Sequence, residues 1–234
     1  MQYFLVVLSA LMPIAVLLWY IYRKDSVQPE PTKWLLKAFG FGILSALLSF
    51  VFSVPTSFLF GMDVDTSNYS SVNEAFADAF VLAAIPEELA KFIMLWLLLR
   101  KNPFFDEHFD GIVYAVCVGM GFAALENVLY LFQNYDSWIS VGIVRALFAV
   151  PGHFLFAVIM GFYYSLWHFR IKRDRNTCTM VLLAPILAHG TYDGILFIMN
   201  IDESLSVIIL FLFLMFFNKL KKVGKKHIAE LMNH

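Results

Sequence analysis

The sequence lacks several patterns by which soluble enzymes are recognised. It has two cysteines in 234 residues, and no cysteine–histidine spacing of the kind that binds structural zinc. It has no glycine-rich phosphate loop, no dinucleotide fingerprint and no His-Glu-x-x-His helix. These absences argue against nucleotide-dependent chemistry. They also mean that any metal site would have to be assembled from residues on separate helices.

Charged residues are scarce too, and long apolar runs separate them. Hydrophobic residues make up 60% of the chain, 25 residues are phenylalanine, and the mean hydropathy is +0.72. A soluble domain rarely reaches such values. The sequence therefore predicts an all-α polytopic membrane helix bundle, with residues 1–234 forming a single domain in a lipid bilayer. We expect no nucleic-acid partner.

Seven apolar runs predict transmembrane helices. All Lys and Arg residues except Lys91 and Arg145 lie in the loops of one side, so the positive-inside rule places the N-terminus outside and the C-terminus in the cytoplasm. Pro151 interrupts a long run, which predicts a separate interfacial or re-entrant helix over residues 139–150. The expected spans are 3–22, 38–60, 75–99, 111–132, 153–167, 178–199 and 204–217.

Ionisable side chains recur inside four of these spans. A charged residue at the centre of a membrane helix costs about 2.5–3.5 kcal/mol on insertion scales, so their number is too costly to be incidental. They must share a buried polar site or a water-filled cavity. The candidate site residues are Glu87, Glu88, Lys91, Glu126, His153, His189 and Asp193.

Spacing within the spans suggests how these groups act together. Glu87 and Lys91 are four residues apart, as are His189 and Asp193, so each pair lies on one helical face. Asp193 is then placed to orient His189, as a carboxylate beside a functional histidine does. Pro86 disturbs the turn before it, which predicts that the two glutamates begin a half-helix.

The residues alone leave three functions open. Glutamate and histidine can activate water for peptide hydrolysis, directly or around a metal. The same groups at mid-membrane depth can relay protons or bind cations in a small transporter. The absence of an internal repeat argues against a transporter, since many carriers have one. A third reading is a non-catalytic scaffold whose buried charges are packing pairs.

Five blocks resemble the PrsW family of intramembrane proteases. They match in order over roughly residues 80–200, and more distantly the chain resembles the CAAX-protease and bacteriocin-processing superfamily. The blocks are PEELAKF at 86–92, FDGIVYA at 109–115, GFAALEN at 121–127, RALFAVPGH at 145–153 and HGTYDG at 189–194.

The resemblance implies an intramembrane endopeptidase of the bacterial plasma membrane, with a catalytic core over about residues 75–200. Its expected substrate is a single-pass anti-sigma factor, cut at site 1 in regulated intramembrane proteolysis. The family is classed with metallopeptidases, whereas the CAAX relatives are argued to use a glutamate base, so both mechanisms stay open.

Roles follow for the candidate residues. Glu87 or Glu88 is expected to be the base that activates water, with Lys91 tuning the pair. Arg145 is expected to hold the chain around Pro151 or a substrate carbonyl. The groups expected to bind a divalent metal such as zinc, or else to stabilise the tetrahedral intermediate, are Glu126, His153 and His189.

Overall fold

The computed structural model describes residues 1–26, 28–62, 69–172, 174–199, 201 and 203–233, and the regular secondary structure of these residues is entirely helical. Two π-helical turns, Ala79–Ala84 and Arg145–Ala149, join consecutive α-helices, and short 3-10 turns cover Tyr135–Ser137 and Glu203–Leu205. The α-helices are α1 (Gln2–Lys24), α2 (Thr32–Phe60), α3 (Val72–Asp78), α4 (Ile85–Leu99), α5 (Asp110–Gln133), α6 (Trp138–Val144), α7 (Val150–His168), α8 (Arg175–Ile198) and α9 (Ser206–Met232).

Five helical stretches of the described chain are long and apolar enough to cross a membrane: α1, α2, α5, α8 and the run Tyr135–His168. The expected class, an all-helical membrane protein, is confirmed. The helical run Val72–Leu99, which contains α4, is not among the five because three residues of α4 are charged. The apolar first half of α9 is followed by a lysine-rich second half. Seven spans and the orientation of the termini therefore stay predictions.

The helix is not interrupted at Pro151. The expected separate helix over 139–150 is wrong, because helical backbone runs through all 34 residues from Tyr135 to His168. The π-helical turn Arg145–Ala149 comes just before α7 and leaves Pro151 in the first turn of that helix. A proline cannot donate a hydrogen bond to the turn before it, and the wider π-helical turn accommodates it without breaking the helix.

Helix α5 lies at the centre of the bundle and packs most extensively on α2 and α7. Glycines allow these close crossings. A Cβ atom on Gly121 would lie 2.1 Å from the Phe39 carbonyl oxygen of α2, and one on Gly161 would lie 2.4 Å from the Gly111 carbonyl oxygen. Small residues at crossings are typical of membrane helices, whose association depends on close packing.

The outer faces of the bundle are apolar. Large hydrophobic side chains are exposed on α1, α2 and α9, with Phe58 81% and Val207 78% exposed. In water such a surface would drive aggregation, whereas in a bilayer the lipid tails cover it. The polar side chains of α4, α5, α7 and α8 instead face the interior, where they build the site described next.

Candidate active site

The two adjacent glutamates lie in the first turn of α4, directly after a π-helical turn. The turn before Pro86 is disturbed as expected, but the disturbance is a π-helical turn within continuous helical backbone from Val72 to Leu99, so the glutamates do not begin a separate half-helix. Their environments differ, because Glu88 is fully buried while the side chain of Glu87 is 16% exposed. A π-helical turn shifts the residues that follow it around the helix axis, and such turns are frequent at functional sites.

Lys91 links the two glutamates to a second helix. Its Nζ donates to Glu88 Oε1 over 2.8 Å and to Glu87 Oε2 over 3.3 Å. The same nitrogen lies 3.2 Å from His153 Nδ1 on α7 and 3.9 Å from the centre of the Phe122 ring. Lys91 is only 3% exposed, and two carboxylates compensate the charge of its ammonium, as the burial of a charge requires.

His153 connects this group to α5. Its Nε2 lies 2.8 Å from Glu126 Oε2, and that oxygen also accepts from Arg145 Nη2 over 2.7 Å. Arg145 Nε donates to Asn127 Oδ1 over 2.6 Å, and its guanidinium lies 4.0 Å above the Tyr130 ring. Arg145 therefore binds two neighbouring residues of α5, Glu126 and Asn127. It does not bind a loop around Pro151 in this structure.

His189 closes the arrangement from α8. Its Nδ1 lies 2.9 Å from Glu88 Oε1, and its Nε2 lies 3.0 Å from Asp193 Oδ2. The expected pairing of His189 with Asp193 one turn away is therefore present. His189 also stacks on Phe156, with ring centres 4.6 Å apart.

All seven candidate residues are thus joined in one network of polar contacts drawn from four helices. Their catalytic roles stay predictions. Sequence reasoning did not single out Tyr130 or Phe122, because aromatic residues are common throughout the chain.

Two cavities meet at the network. One, of about 470 Å³, lies among α5, α7, α8 and α9 and is lined by Glu87, Glu126, His189 and Tyr192 together with many apolar groups. The other, of about 380 Å³, lies between α2 and α5 and is lined by Glu87, Glu126 and serines of α2. Both glutamates reach both cavities. The Tyr192 hydroxyl is buried and makes no hydrogen bond within the described residues.

The donor set fits a divalent metal ion. Glu87, His153 and His189 each offer one ligand atom, and these atoms lie within 4.8 Å of one another. Two histidines and a glutamate are a known zinc ligand set. His153 has the Glu126 carboxylate on Nε2, which is how metal-bound histidines are commonly oriented, and its Nδ1 lies 3.2 Å from Lys91 Nζ. His189 has a carboxylate on each ring nitrogen, Glu88 at Nδ1 and Asp193 at Nε2, so one of these contacts has to open for a metal to bind.

The charge balance agrees with this ligand set. Four carboxylates of the network face two permanent cations, Lys91 and Arg145, which leaves two negative charges in excess. A divalent ion, or protonation of both histidines, would balance them. The ligand group differs from the expected one, since it contains Glu87 where the sequence predicted Glu126, whose Oε2 is bonded to Arg145 and His153.

Comparison with known proteins identifies the family. A family profile described as "PrsW family intramembrane metalloprotease" matches residues 30–218. The chain belongs to the PrsW family. It is 36% identical over 193 residues to Protease PrsW of Geobacillus kaustophilus, covering 82% of this chain and 80% of the relative. It is 32% identical over 230 residues to Protease PrsW of Clostridioides difficile, covering 97% and 91%.

A third relative, Protease PrsW of Bacillus subtilis, is 34% identical over 195 residues, covering 82% of this chain and 83% of that protein. No solved structure matches the chain. Membership of the PrsW family confirms the resemblance, the class of membrane-embedded protease and the multi-pass membrane location.

Proposed function

We propose that this PrsW-family protease is an endopeptidase that cuts a single-pass membrane protein of the anti-sigma-factor type, as the site-1 step of regulated intramembrane proteolysis. The observation that supports peptide hydrolysis best is the network of seven ionisable groups on four helices, two of whose glutamates border open cavities. The anti-sigma-factor substrate rests on the motif resemblance.

Glu87 is the member of the glutamate pair that contacts a water molecule in this proposal. It borders both cavities, whereas Glu88 is fully buried and its Oε1 is engaged by Lys91 and His189. Glu88 and Lys91 therefore position the reacting groups. An ionised Glu87 is required either as the base that accepts a proton from water or as a metal ligand.

Glu87, His153 and His189 are the residues that would hold a divalent ion such as zinc. When bound, such an ion polarises the scissile carbonyl and lowers the pKa of water. Glu126 then keeps His153 oriented, and Arg145 keeps Glu126 oriented. One of the two carboxylates beside His189, Asp193 or Glu88, would orient its ring, and the nitrogen that faces the other would be the ligand atom.

Tyr192 is the proposed donor to the tetrahedral intermediate. It borders the larger cavity, and its hydroxyl has no partner within the described residues. A hydrogen-bond donor held ready for the charge that develops on the carbonyl oxygen stabilises the transition state. Most of the same cavity is apolar, which suits a helical substrate segment that enters from the bilayer.

Cleavage by purified protein in liposomes tests the proposal. The substrate is a tagged single-pass anti-sigma factor, and wild type is compared with Glu87→Gln, Glu88→Gln, Glu126→Gln and His189→Ala. Asp136→Asn, an exposed carboxylate in a turn, is the matched control. We expect cleavage by wild type and control alone, with all variants still inserted in the membrane.

A strong chelator separates the two mechanisms. Loss of activity that returns with Zn²⁺ supports the metal, whereas full activity in chelator supports a glutamate base. Full activity in Glu87→Gln would remove that residue from the site. A proton flux through wild type that the variants lose, with no cleavage, would favour the transporter.

A further inference from the structure

A second group of carboxylates lies at the other end of α5 from Glu126. Asp25 follows α1, Glu30 precedes α2, Glu107 lies in the loop before α5, and Asp110 is the first residue of α5. Sixteen residues separate Asp110 from Glu126, so about 24 Å of helix lies between the two groups. The proposed proteolysis uses none of these four residues.

Three of them converge. Asp25, Glu107 and Asp110 each offer a carboxylate oxygen, and these oxygens lie within 4.8 Å of one another. Ca²⁺ binds oxygen ligands at about 2.3–2.6 Å, which allows two oxygens on opposite sides to be about 5 Å apart. A site built from three protein carboxylates suits that ion better than Mg²⁺, which keeps several waters and is usually bound through only one or two carboxylates.

Hydrogen bonds hold these carboxylates in place and leave one oxygen without a donor. Asp110 Oδ2 accepts from the backbone N–H of Asp106 over 3.0 Å and of Glu107 over 2.7 Å. Asp25 Oδ2 accepts from the backbone N–H of Glu30 over 3.0 Å. Asp110 is 0% exposed, and its Oδ1 accepts from no N–H or hydroxyl donor among the described residues, although the Glu30 carboxyl contacts the Asp110 side chain. A buried carboxylate oxygen without a donor is costly unless a cation faces it.

No lysine or arginine of the described residues forms an ion pair with this group of four carboxylates. Lys24 lines the same cavity, but its ammonium lies over the Tyr20 ring, 6.0 Å from the ring centre, and forms no ion pair with these carboxylates. Burial raises the pKa of Asp25 above its ordinary value and raises the pKa of Glu30 to about 7. Both shifts express the cost of buried negative charge.

A cavity gives access from outside the bundle. It has a volume of about 320 Å³, and Asp25, Glu107 and the C-terminal residues of α9 are among its lining groups. An ion can therefore reach Asp25 and Glu107 from outside the bundle, whereas Asp110 is buried and does not line this cavity.

We propose that Asp25, Glu107 and Asp110 bind a hard divalent cation, with Ca²⁺ preferred over Mg²⁺, at a site separate from the protease centre. Glu30 is not a ligand, but it fixes the position of Asp25 because its backbone N–H donates to the Asp25 carboxylate. The Glu30 carboxylate in turn accepts from the Tyr114 hydroxyl of α5. The bound ion ties the loop between α1 and α2 to the first turn of α5. By the predicted orientation, this site faces the cytoplasm.

Terbium luminescence tests the site without any substrate. Tb³⁺ replaces Ca²⁺ on oxygen ligands, and excitation of nearby tyrosines such as Tyr114 makes it emit. Full-length protein in detergent is first treated with a chelator and then titrated with Tb³⁺, followed by competition with Ca²⁺ and with Mg²⁺. We expect saturable emission that Ca²⁺ displaces at lower concentration than Mg²⁺.

Variants assign the signal to these residues. Glu107→Gln and Asp110→Asn should each raise the Tb³⁺ dissociation constant at least tenfold. Glu107 is only half-buried, so its variant keeps the fold even where Asp110→Asn does not. Asp136→Asn should bind like wild type, and so should His189→Ala, which removes a ligand of the proposed protease metal only.

Two results would overturn the site. One is the absence of saturable emission from wild type. The other is an equal dissociation constant for wild type and Glu107→Gln. A signal lost in His189→Ala but kept in Glu107→Gln would place the ion at the protease centre instead, and would leave the acidic group empty.

Discussion

At the scale of single residues, Lys91 compensates the charge of the two adjacent glutamates. Its ammonium contacts Glu87, Glu88 and His153, and Glu88 has no exposed surface. Removing one partner of a buried ion pair leaves the other as an uncompensated charge. That loss is far more costly than replacing both partners with neutral groups.

We therefore predict that Lys91→Met lowers the free energy of unfolding by about 3–5 kcal/mol. The double variant Lys91→Met with Glu88→Gln should recover part of that loss, because it removes the stranded carboxylate as well. Thermal unfolding in detergent measures both effects, with Glu88→Gln alone completing the cycle. A double variant less stable than Lys91→Met would contradict this account.

Tyr192 offers the opposite kind of prediction, a loss of rate without a loss of stability. Tyr192→Phe keeps the aromatic packing on Phe156 and Phe213 and removes only the unpartnered hydroxyl. We expect kcat for cleavage to fall by about 100-fold, as when an oxyanion donor is removed. The thermal midpoint should stay equal or rise, since a buried unsatisfied group is lost.

The matched control is Tyr164→Phe, which changes a buried tyrosine packed against Phe105 and His168 and distant from both cavities of the protease centre. It should cleave at the wild-type rate. If Tyr192→Phe also cleaves at the wild-type rate, Tyr192 is a packing residue and another group donates to the intermediate.

At the scale of helices, two π-helical turns place the site. Each comes just before a proline in the first turn of an α-helix, Pro86 in α4 and Pro151 in α7. The prolines were visible in the sequence and indicated disturbed helices. The extra residue of a π-helical turn has no sequence signature of its own. Sequence reasoning therefore located the disturbance at both prolines, but it predicted a half-helix at Pro86 and a break at Pro151 where the helical backbone is continuous.

Close crossing of α2 and α5 is the second requirement at this scale. A Cβ atom on Gly121 would collide with the Phe39 carbonyl oxygen at 2.1 Å, and five residues further along α5 lies Glu126. We predict that Gly121→Ala lowers stability by about 1–3 kcal/mol by overpacking and reduces cleavage as α5 is displaced. Thermal unfolding and the liposome assay measure the two effects.

Gly40→Ala is the control on α2. An added Cβ atom there has no neighbour within 4 Å, so activity should match wild type and stability should stay equal or rise, because alanine favours a helix over glycine. If Gly121→Ala behaves like Gly40→Ala, the crossing tolerates extra volume and does not set the position of Glu126.

At the scale of the whole molecule, the two clusters differ in how far the sequence revealed them. The protease residues were predictable because a charged residue inside an apolar run is energetically costly. Such a residue is therefore rare, and it stands out in the sequence as a candidate functional group. The acidic group was missed because Asp25, Glu30 and Glu107 lie in loops, where carboxylates are ordinary. Only the packing of three chain segments shows that Asp25 and Asp110 are buried.

The membrane topology is the remaining prediction at this scale, and one native cysteine tests it. Cys178, in the first turn of α8, is exposed, whereas Cys117 is buried. With seven spans, five precede α8, so Cys178 and the N-terminus lie on opposite sides of the membrane. With only the five long apolar stretches as spans, four precede α8, and both lie on the same side.

We predict that a membrane-impermeant maleimide labels Cys178 in inverted vesicles and not in right-side-out vesicles. Gln2→Cys in a Cys178→Ser background should show the reverse, because an odd number of crossings separates the two positions. Cys178→Ser alone, which keeps the buried Cys117, gives the background. Labelling of both cysteines in the same vesicles would mean that α4 does not cross the membrane. Its glutamates would then enter the site from a helix that only dips into the bilayer.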